Sequence, residues 1–167
     1  MCRVKLPPYD KTRDAIVWEI SKAQVMSMAV GAGKIVYFAH SKLDYSTSRA
    51  AKVRSLIRDE RPDMRLLDPS RMGEVWPDLA QRLGSHEAVY ELVIECSAQV
   101  VALEHKGFVG RGVFTELQLA QRRGLPCYVV RDKRLVPVES IQIFDKEDYK
   151  RCYGRVFAKG EVRDVAA

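Results

Sequence analysis

The feature that most constrains the fold of this chain is an alternation between short apolar runs and longer segments with helical spacing. The apolar runs have the length of strands, and they are Lys34–His40, Arg65–Leu67, Gln99–Leu103 and the run that ends at Val130. Between them, apolar residues recur on one helical face, as from Thr47 to about Glu60 and from about His86 to Cys96. Strands that alternate with helices predict a parallel sheet covered on both faces by right-handed crossovers. The sequence therefore predicts an α/β fold.

The chain is long enough for one domain with flanking segments, because 167 residues can bury a substantial core. Helical spacing from Arg13 to Val30 predicts an extra helix before the first strand. Weaker patterns predict a strand around Ser140–Phe144 and an edge strand at Arg155–Ala158. We divide the chain into an N-terminal arm and helix (1–33), an α/β domain (34–145) and a C-terminal extension packed on or near the domain (146–167).

Composition argues against several classes of protein. No apolar run approaches the roughly 20 residues that span a bilayer, and Met1–Asp10 lacks the apolar core of a signal peptide. The four cysteines form no CxxC pair, so we expect reduced thiols in a cytoplasmic protein with no metal site. The net charge of +6 (28 basic minus 22 acidic side chains) is interleaved with acids, which favours a solvated basic surface. We expect neither a membrane nor a nucleic acid as partner.

The segment from Gly107 to Val130 contains the residue that most needs an explanation. It is typical of a glycine loop, a helix, a glycine turn and a buried strand. Glu116 falls in the first turn of the predicted helix, on the stripe of Val113, Leu117 and Ala120 that should face the sheet. The helix N-terminus is expected to keep this carboxylate ionised, which suits nucleophilic attack on an anomeric carbon. A glutamate satisfied by backbone amides or by an arginine is the simpler interpretation.

Loops that follow the predicted strands should meet at one edge of the sheet, because ligands of such folds bind beyond the carboxyl ends of the strands. His40 and Ser41 close the first strand, and Tyr45 in the following loop is well placed to touch a ligand. Asp44 and Asp68 are the loop carboxylates best placed to act as second acids. The sequence therefore predicts a crevice that gathers these side chains with Glu116.

Glycines also surround the start of the helix that carries the glutamate. Gly110 and Gly112 allow the backbone to approach a ligand closely, and free N–H groups at a helix N-terminus attract anions. Arg111 between them is a candidate anion contact. On spacing alone, a flexible loop with a solvated arginine is an equally good interpretation. The segment matches neither a dinucleotide-binding fingerprint nor a Walker A loop.

Three motifs in order resemble a known family. IVYFAHSKLDYSTSRA, LLDP and GRGVFTELQLAQRRGLPCYVV are similar to the first strand and loop, the second strand, and the glycine loop, helix and closing strand of nucleoside 2-deoxyribosyltransferase-like proteins. Glu116, Ala120 and Gly124 keep the expected spacing, and the similarity covers about Ile35–Val130. The family includes deoxynucleoside 5′-monophosphate N-glycosidases. The resemblance implies a flavodoxin-like or Rossmann-like doubly wound sheet.

The resemblance also implies an activity and a set of roles. The family cleaves or exchanges N-glycosidic bonds of 2′-deoxynucleosides or their 5′-monophosphates, and the glutamate that corresponds to Glu116 is its nucleophile. By position, Tyr37, His40 and Ser41 would line the pocket for the sugar or the base, and Arg111 would receive a 5′-phosphate. The family needs no cofactor or metal, and its members often form homo-oligomers. For this chain, the helix before the first strand is the candidate interface.

The chain departs from the family at three acidic positions. Tyr90 stands where an aspartate commonly assists the base, Ser97-Ala98 replaces the aspartate that begins the third strand, and Gly110 replaces a carboxylate before the nucleophile. A hydrolase that uses Asp44 or Asp68 instead is one consequence. Two alternatives from other classes are a non-catalytic module that binds nucleosides or nucleotides, and an interaction protein whose basic helices contact RNA.

Overall fold

The structure is a computed structural model, and it describes residues 15–105, 108–138 and 142–143. Helices and strands alternate along most of this length. In chain order, the elements are α1 (Ala15–Ser27), β1 (Ile35–Ala39), α2 (Ser48–Glu60), β2 (Arg65–Leu67), α3 (Val75–Leu83), α4 (His86–Glu95), β3 (Gln99–Ala102), β4 (Phe108–Val109), α5 (Arg111–Arg122), β5 (Cys127–Arg131), β6 (Arg134–Pro137) and β7 (Gln142–Ile143).

The central sheet has five strands in the order β2-β1-β3-β5-β6. The first four are parallel, and β6 pairs antiparallel with β5 at the edge. The interior strand β1, between β2 and β3, is buried along its whole length, since all of its residues lie in the core. A parallel sheet needs helical crossovers, and these cover its two faces. The predicted doubly wound α/β fold, flavodoxin-like or Rossmann-like in architecture, is confirmed.

Side chains of β1 alternate between two cores. Tyr37 and Ala39 pack in the larger core, which contains residues of α1, α3, α4 and α5. Val36 and Phe38 pack in the smaller core, which contains residues of α2. Because successive side chains of a strand point to opposite faces, this alternation assigns each helix to one side of the sheet. Tyr37 therefore faces the layer that contains the helix with Glu116.

The helix before the first strand is present, and it ends at Ser27 rather than at the predicted Val30, while the predicted start at Arg13 lies outside the described residues. In α1, Trp18 and Val25 are buried against the larger core, so the tryptophan is an intramolecular core residue. Ile16 is 77% exposed and Ile20 is 57% exposed on the same helix. The predicted self-association through this helix stays a prediction.

Three elements differ from the sequence-based expectation. The segment around Trp76, expected to be loose, forms α3, and β6 follows a tight turn in which Asp132 and Lys133 have φ of 49° and 59°. The strand expected around Ser140–Phe144 is present as Gln142–Ile143, but it pairs with Phe108–Val109 in a separate two-stranded sheet. The first strand of this sheet, β4, lies immediately before the start of α5. Part of the predicted glycine loop therefore forms regular structure.

Some expectations fall on parts of the chain that the structure does not describe. The N-terminal arm, Gly107, the proposed edge strand at Arg155–Ala158 and the extension at 146–167 lie outside the described residues. Among the helices that are described, none is long and apolar enough to cross a membrane.

Candidate active site

A cavity of about 850 Å³ opens at the carboxyl ends of the central strands, where the sequence predicts a ligand crevice. Its volume lies within the range of small-molecule sites. Its walls come from the loop after β1, the α3–α4 region and the first turns of α5. The lining residues are Tyr37, His40, Ser41, Lys42, Leu43, Tyr45, Pro69, Trp76, His86, Glu87, Tyr90, Gly110, Arg111, Gly112, Val113, Thr115 and Glu116. Of the predicted site residues that the structure describes, the two candidate acids Asp44 and Asp68 do not line the cavity.

Glu116 lies at the floor of the cavity. Its neighbours on the helical stripe, Val113, Leu117 and Ala120, are all buried as predicted, so the stripe packs against the sheet. Glu116 is only 4% exposed, and the hydroxyl of Tyr37 donates a hydrogen bond of 2.6 Å to its Oε1. The second carboxyl oxygen has no such partner among the described residues. One carboxyl oxygen of Glu116 is thus held by a hydrogen bond, and the other is left to interact with a ligand.

The ionisation of Glu116 differs from the expectation. Burial raises the pKa of Glu116 to about 8, and the hydrogen bond from Tyr37 offsets only part of that effect. The helix begins at Arg111, so Glu116 lies in its second turn, where the helix dipole has little effect. The prediction that the helix N-terminus keeps the carboxyl ionised is therefore wrong. At neutral pH the group is mostly a carboxylic acid.

Three tyrosine hydroxyls surround this carboxyl. The pKa values of Tyr37, Tyr45 and Tyr90 are all raised, first by burial and next by the charge of Glu116, and the pKa of Tyr45 reaches about 12. All three therefore remain protonated phenols, and hydrogen-bond donors, at neutral pH. The Tyr37 hydroxyl donates its hydrogen bond to Glu116. The hydroxyls of Tyr45 and Tyr90 make no hydrogen bond to any residue described. These two donors remain available to a ligand.

An aromatic wall stands on the α3–α4 side of the cavity. The rings of Trp76 and Tyr90 have centroids 5.5 Å apart and planes inclined by 57°. Trp76 Nε1 donates a hydrogen bond of 3.2 Å to Nδ1 of His86, which fixes the edge of the indole. Sequence reasoning missed this wall because α3 was not recognised. The available signal was the strongly amphipathic spacing of Val75, Leu79 and Leu83.

His40, Asp68 and Arg54 form a buried network beneath the loop after β1. Asp68 Oδ1 lies 3.0 Å from His40 Nε2 and accepts a hydrogen bond from the backbone N–H of Ser70, while Oδ2 accepts one from Arg54. Burial alone would raise the pKa of Asp68, but hydrogen bonds from His40, Ser70 and Arg54 hold it well below its ordinary value. Asp68 supports His40 from behind rather than lining the cavity.

Asp44, the other candidate acid, is likewise buried away from the cavity. Its Oδ2 lies 3.3 Å from His105 Nε2, so the carboxylate belongs to a contact between the loops after β1 and β3. The cavity is therefore lined by two carboxyl groups within the described ranges, Glu116 at the floor and the exposed Glu87 at the mouth. The arrangement supplies one buried carboxyl group and several phenol donors.

The glycines at the start of α5 have different surroundings. A Cβ added to Gly112 would lie 3.1 Å from the hydroxyl oxygen of Tyr90, whereas one added to Gly110 would meet open space. Gly112 therefore allows close approach of a protein side chain, and Gly110 occupies the N-cap of the helix. The exposed side chains of Arg111 and Lys42 stand at the mouth together with Glu87, so basic groups outnumber acidic ones there by two to one.

In the part of the chain that the structure describes, no group of three or more His, Cys, Asp or Glu side chains is arranged to hold a metal ion. No protein-family model matches this chain, and neither a curated protein nor a solved structure does.

Proposed function

We propose that this protein cleaves or exchanges the N-glycosidic bond of nucleosides, deoxynucleosides or their 5′-monophosphates, with Glu116 as the nucleophile. One observation carries the proposal. A single buried carboxyl lies at the floor of a cavity of about 850 Å³, with one oxygen bound by Tyr37 at 2.6 Å. This is the arrangement that a retaining glycosidic mechanism requires of its nucleophile.

The reaction has two displacements at the anomeric carbon. In the first, the carboxylate of Glu116 bonds to C1′ while the C1′–N bond breaks and its electron pair leaves with the base. In the second, water or another base attacks C1′ and the bond to Glu116 breaks, which restores the carboxylate. When water attacks, its proton is released and the departed base takes one up from solvent. Two displacements retain the configuration at C1′.

The ionisation of Glu116 sets the working conditions. The group must lose its proton before it attacks, and burial raises its pKa to about 8. The hydroxyl of Tyr37 stabilises the carboxylate form, because its hydrogen bond is stronger to a charged oxygen than to a neutral one. A carboxylate of raised pKa is also more basic, and hence more reactive, than an exposed one. We expect slow turnover at neutral pH and faster turnover in alkaline solution.

The positive entrance favours a phosphorylated ligand. Arg111 and Lys42 line the mouth, and the free N–H groups at the start of α5 face the same opening. A 5′-phosphate at this mouth would leave the sugar above Glu116 at the floor. The proposal therefore includes 5′-monophosphates among the substrates and predicts that they bind more tightly than the nucleosides.

A non-catalytic binding module is the second candidate. The observation that favours it is the position of Asp44 and Asp68, both buried outside the cavity, so that neither assists the base directly. General acid–base assistance commonly contributes about 10²–10⁴-fold to a rate. Without it, the same cavity would bind a nucleoside or nucleotide and release it unchanged.

One experiment separates the two candidates. The purified protein is incubated with a panel of nucleosides, deoxynucleosides and their monophosphates, with and without a free acceptor base, and base release is followed by chromatography. We expect release or exchange that is lost in Glu116→Gln and kept in the matched variant Glu19→Gln, which changes an exposed carboxyl of α1 that does not line the cavity. Equal release by Glu116→Gln and the parent would overturn the nucleophile. Binding without release at high protein concentration would establish the module.

A further inference from the structure

We infer that Trp76 and Tyr90 form the binding site of the leaving base, here called the seat. The indole stacks on the base, and the Tyr90 hydroxyl donates a hydrogen bond to it. The inference deepens the proposed function, on which it rests for the identity of the ligand as a nucleobase. It assigns to a pair of aromatic residues the specificity for a planar heteroaromatic ring.

The shape of the wall fits a planar ring. Trp76 and Tyr90 are both half-buried in the cavity lining, where their ring planes are inclined by 57° and their centroids lie 5.5 Å apart. The indole N–H is bound to His86, which leaves the face of Trp76 for contact with a ligand. Stacking of a base on an aromatic side chain is tolerant of sequence and stabilises binding by about 1–3 kcal/mol.

The opposite wall is less suited to this role. Tyr45 packs in a T-shaped arrangement with the ring of His40, at a centroid distance of 5.0 Å and an angle of 69°. The His40 side chain is itself fully buried and paired with Asp68. Because His40 is buried, that wall offers a ligand one half-buried ring, that of Tyr45, whereas the other wall offers the larger indole of Trp76 together with the ring of Tyr90. A base that leaves C1′ above Glu116 has its best stacking partner on the Trp76 side.

The position of the Tyr90 hydroxyl fits hydrogen bonding to the base. The hydroxyl lies beside Gly112, where a side chain would crowd it. Tyr90 also interacts electrostatically with Glu116, and both residues line the same cavity. Burial raises the pKa of Tyr90, so the phenol keeps its proton at neutral pH. The hydroxyl is thus a constant donor with no competing partner among the residues described.

The chemical role follows from the electron pair that the base carries away. As the C1′–N bond breaks, negative charge accumulates on the nitrogen and carbonyl groups of the base. A hydrogen bond from Tyr90 stabilises that charge, and the base takes its proton from solvent after departure. Tyr90 remains protonated throughout, so it acts as an electrostatic stabiliser rather than a proton donor.

The first arm of the test measures binding of free bases without turnover. Adenine, guanine, hypoxanthine, cytosine and thymine are titrated into the full chain while tryptophan fluorescence is recorded. The chain has two tryptophans, and Trp18 is buried in α1 away from the cavity lining. We expect at least one base to change the fluorescence of the parent. Calorimetric titration of that base should show weaker binding by Trp76→Leu and a loss of about 3–10-fold in Tyr90→Phe.

A matched variant controls the loss of a hydroxyl. Tyr128 stacks against Arg61 on the other face of the sheet and does not line the cavity. Tyr128→Phe removes the same atom and should leave base binding unchanged. Absence of any fluorescence change with all five bases, or equal binding by Tyr90→Phe and the parent, would overturn the seat.

The second arm uses a leaving group that needs no assistance. The base of 7-methyl-2′-deoxyguanosine is already cationic and departs neutral, whereas that of 2′-deoxyguanosine departs with negative charge. We expect Tyr90→Phe to lower kcat about 10–100-fold on 2′-deoxyguanosine and to leave kcat on the methylated compound unchanged. Equal losses on both substrates would mean that Tyr90 is merely structural.

The two arms keep the proposals apart. Base release by the parent without any fluorescence change from Trp76 would leave the glycosidic function standing and remove the seat. A fluorescence change without base release would keep the seat, as a binding site, and remove the activity. The binding arm decides the matter even if guanine is not the preferred base.

Discussion

The hydroxyl of Tyr37 in the central strand β1 donates a hydrogen bond of 2.6 Å to Glu116 in α5, across 79 positions of the chain. The bond joins two elements whose sequence patterns are independent, and it forms in a fully buried environment. Burial raises the pKa values of both groups, so at neutral pH the pair is largely a phenol bound to a carboxylic acid. The position of Tyr37 in the sheet therefore influences the ionisation of Glu116 at the floor of the cavity.

The first prediction concerns the pH dependence of activity. Because burial raises the pKa of Glu116 to about 8, the nucleophilic carboxylate becomes populated only as the pH rises through that value. We expect kcat/KM for base release to increase about tenfold per pH unit below 8 and to level off above it. Measurement from pH 5 to 10 on the best substrate of the panel gives the profile. A rising limb near pH 4.5 would mean that the carboxyl ionises as an exposed one does.

The second prediction removes the partner of the carboxyl. Tyr37→Phe deletes the hydrogen bond that lowers the pKa of Glu116, so the rising limb should move to higher pH. Hydrogen bonds to charged groups contribute about 1.5–3 kcal/mol, so kcat/KM at pH 7 should fall roughly 10–100-fold. The same measurement on Tyr128→Phe should reproduce the parent. A fall in rate without a shift of the limb would show that Tyr37 does not act through the ionisation of Glu116.

The third prediction concerns stability. Glu116 titrates near pH 4.3 when the chain is unfolded and at about 8 when it is folded. Between these values the folded state binds more protons than the unfolded state, so the free energy of unfolding falls as the pH rises. Glu116→Gln removes this dependence. Relative to the parent, the free energy of unfolding of the variant should therefore rise by up to a few kcal/mol from pH 5 to pH 9. Each pKa unit corresponds to about 1.4 kcal/mol.

Urea unfolding at pH 5, 7 and 9 checks this expectation. The difference between Glu116→Gln and the parent should be smallest at pH 5 and largest at pH 9. A constant difference at all three pH values would contradict the raised pKa. Glu87→Gln is the matched control, because it makes the same substitution at an exposed carboxyl rather than at a buried one.

The fourth prediction assigns Asp68 to support of the loop after β1. Its carboxylate is 1% exposed and accepts hydrogen bonds from Arg54 and Ser70 beside His40. Asp68→Asn leaves the guanidinium of Arg54 in a largely buried site without its counter-charge, which typically costs about 3–5 kcal/mol of stability. Urea unfolding at pH 7 measures the loss. The exposed Asp59→Asn, which should cost less than about 0.5 kcal/mol, is the control.

Asp68 also gives a pH dependence of opposite sign. Its pKa is held well below the ordinary value, so its stabilising contribution is complete above about pH 5 and is lost as the pH falls through the acid range. The parent should therefore lose stability below pH 5 more steeply than Asp68→Asn. Parallel curves for the two proteins in that range would rule out this role.

Local patterns were sufficient to predict much of the fold. The helix that Thr47 caps matches its predicted range, because the cap and the apolar spacing agree. The edge strand β6 was missed, since the Asp132-Lys133 turn before it adopts positive φ without glycine or asparagine. The position of Glu116 on a buried stripe follows from helical periodicity. Its ionisation does not, because that depends on which donors the tertiary fold brings to it.

The same distinction applies to the cavity walls. Tyr90 could be placed on a helix from its spacing, but its hydroxyl reaches the cavity only because α4 packs against α5 at Gly112. Trp76 joins it through α3, an element with Pro77 near its start that reads as irregular sequence. The apolar spacing of α3 was a usable signal for that helix, but the contact of its Trp76 with Tyr90 depends on how α3 packs on α4, which a single sequence does not reveal.

The last prediction uses the contact between Gly112 and Tyr90. A Cβ at Gly112 would lie 3.1 Å from the Tyr90 hydroxyl, so Gly112→Ala forces that oxygen to move by a few tenths of an ångström. Displacement of the donor should weaken binding of the preferred free base about 3–10-fold. Alanine is also the better helix former, by as much as about 1 kcal/mol, so the variant should remain folded.

A double-mutant cycle makes the expectation specific. In the Tyr90→Phe background there is no hydroxyl to displace, so adding Gly112→Ala should change base affinity by less than twofold. The two substitutions are in contact, and such pairs show non-additive effects. Calorimetric titration of the parent, both single variants and the double variant measures the coupling. Additive losses would mean that Gly112→Ala acts on the entrance of the cavity rather than through Tyr90.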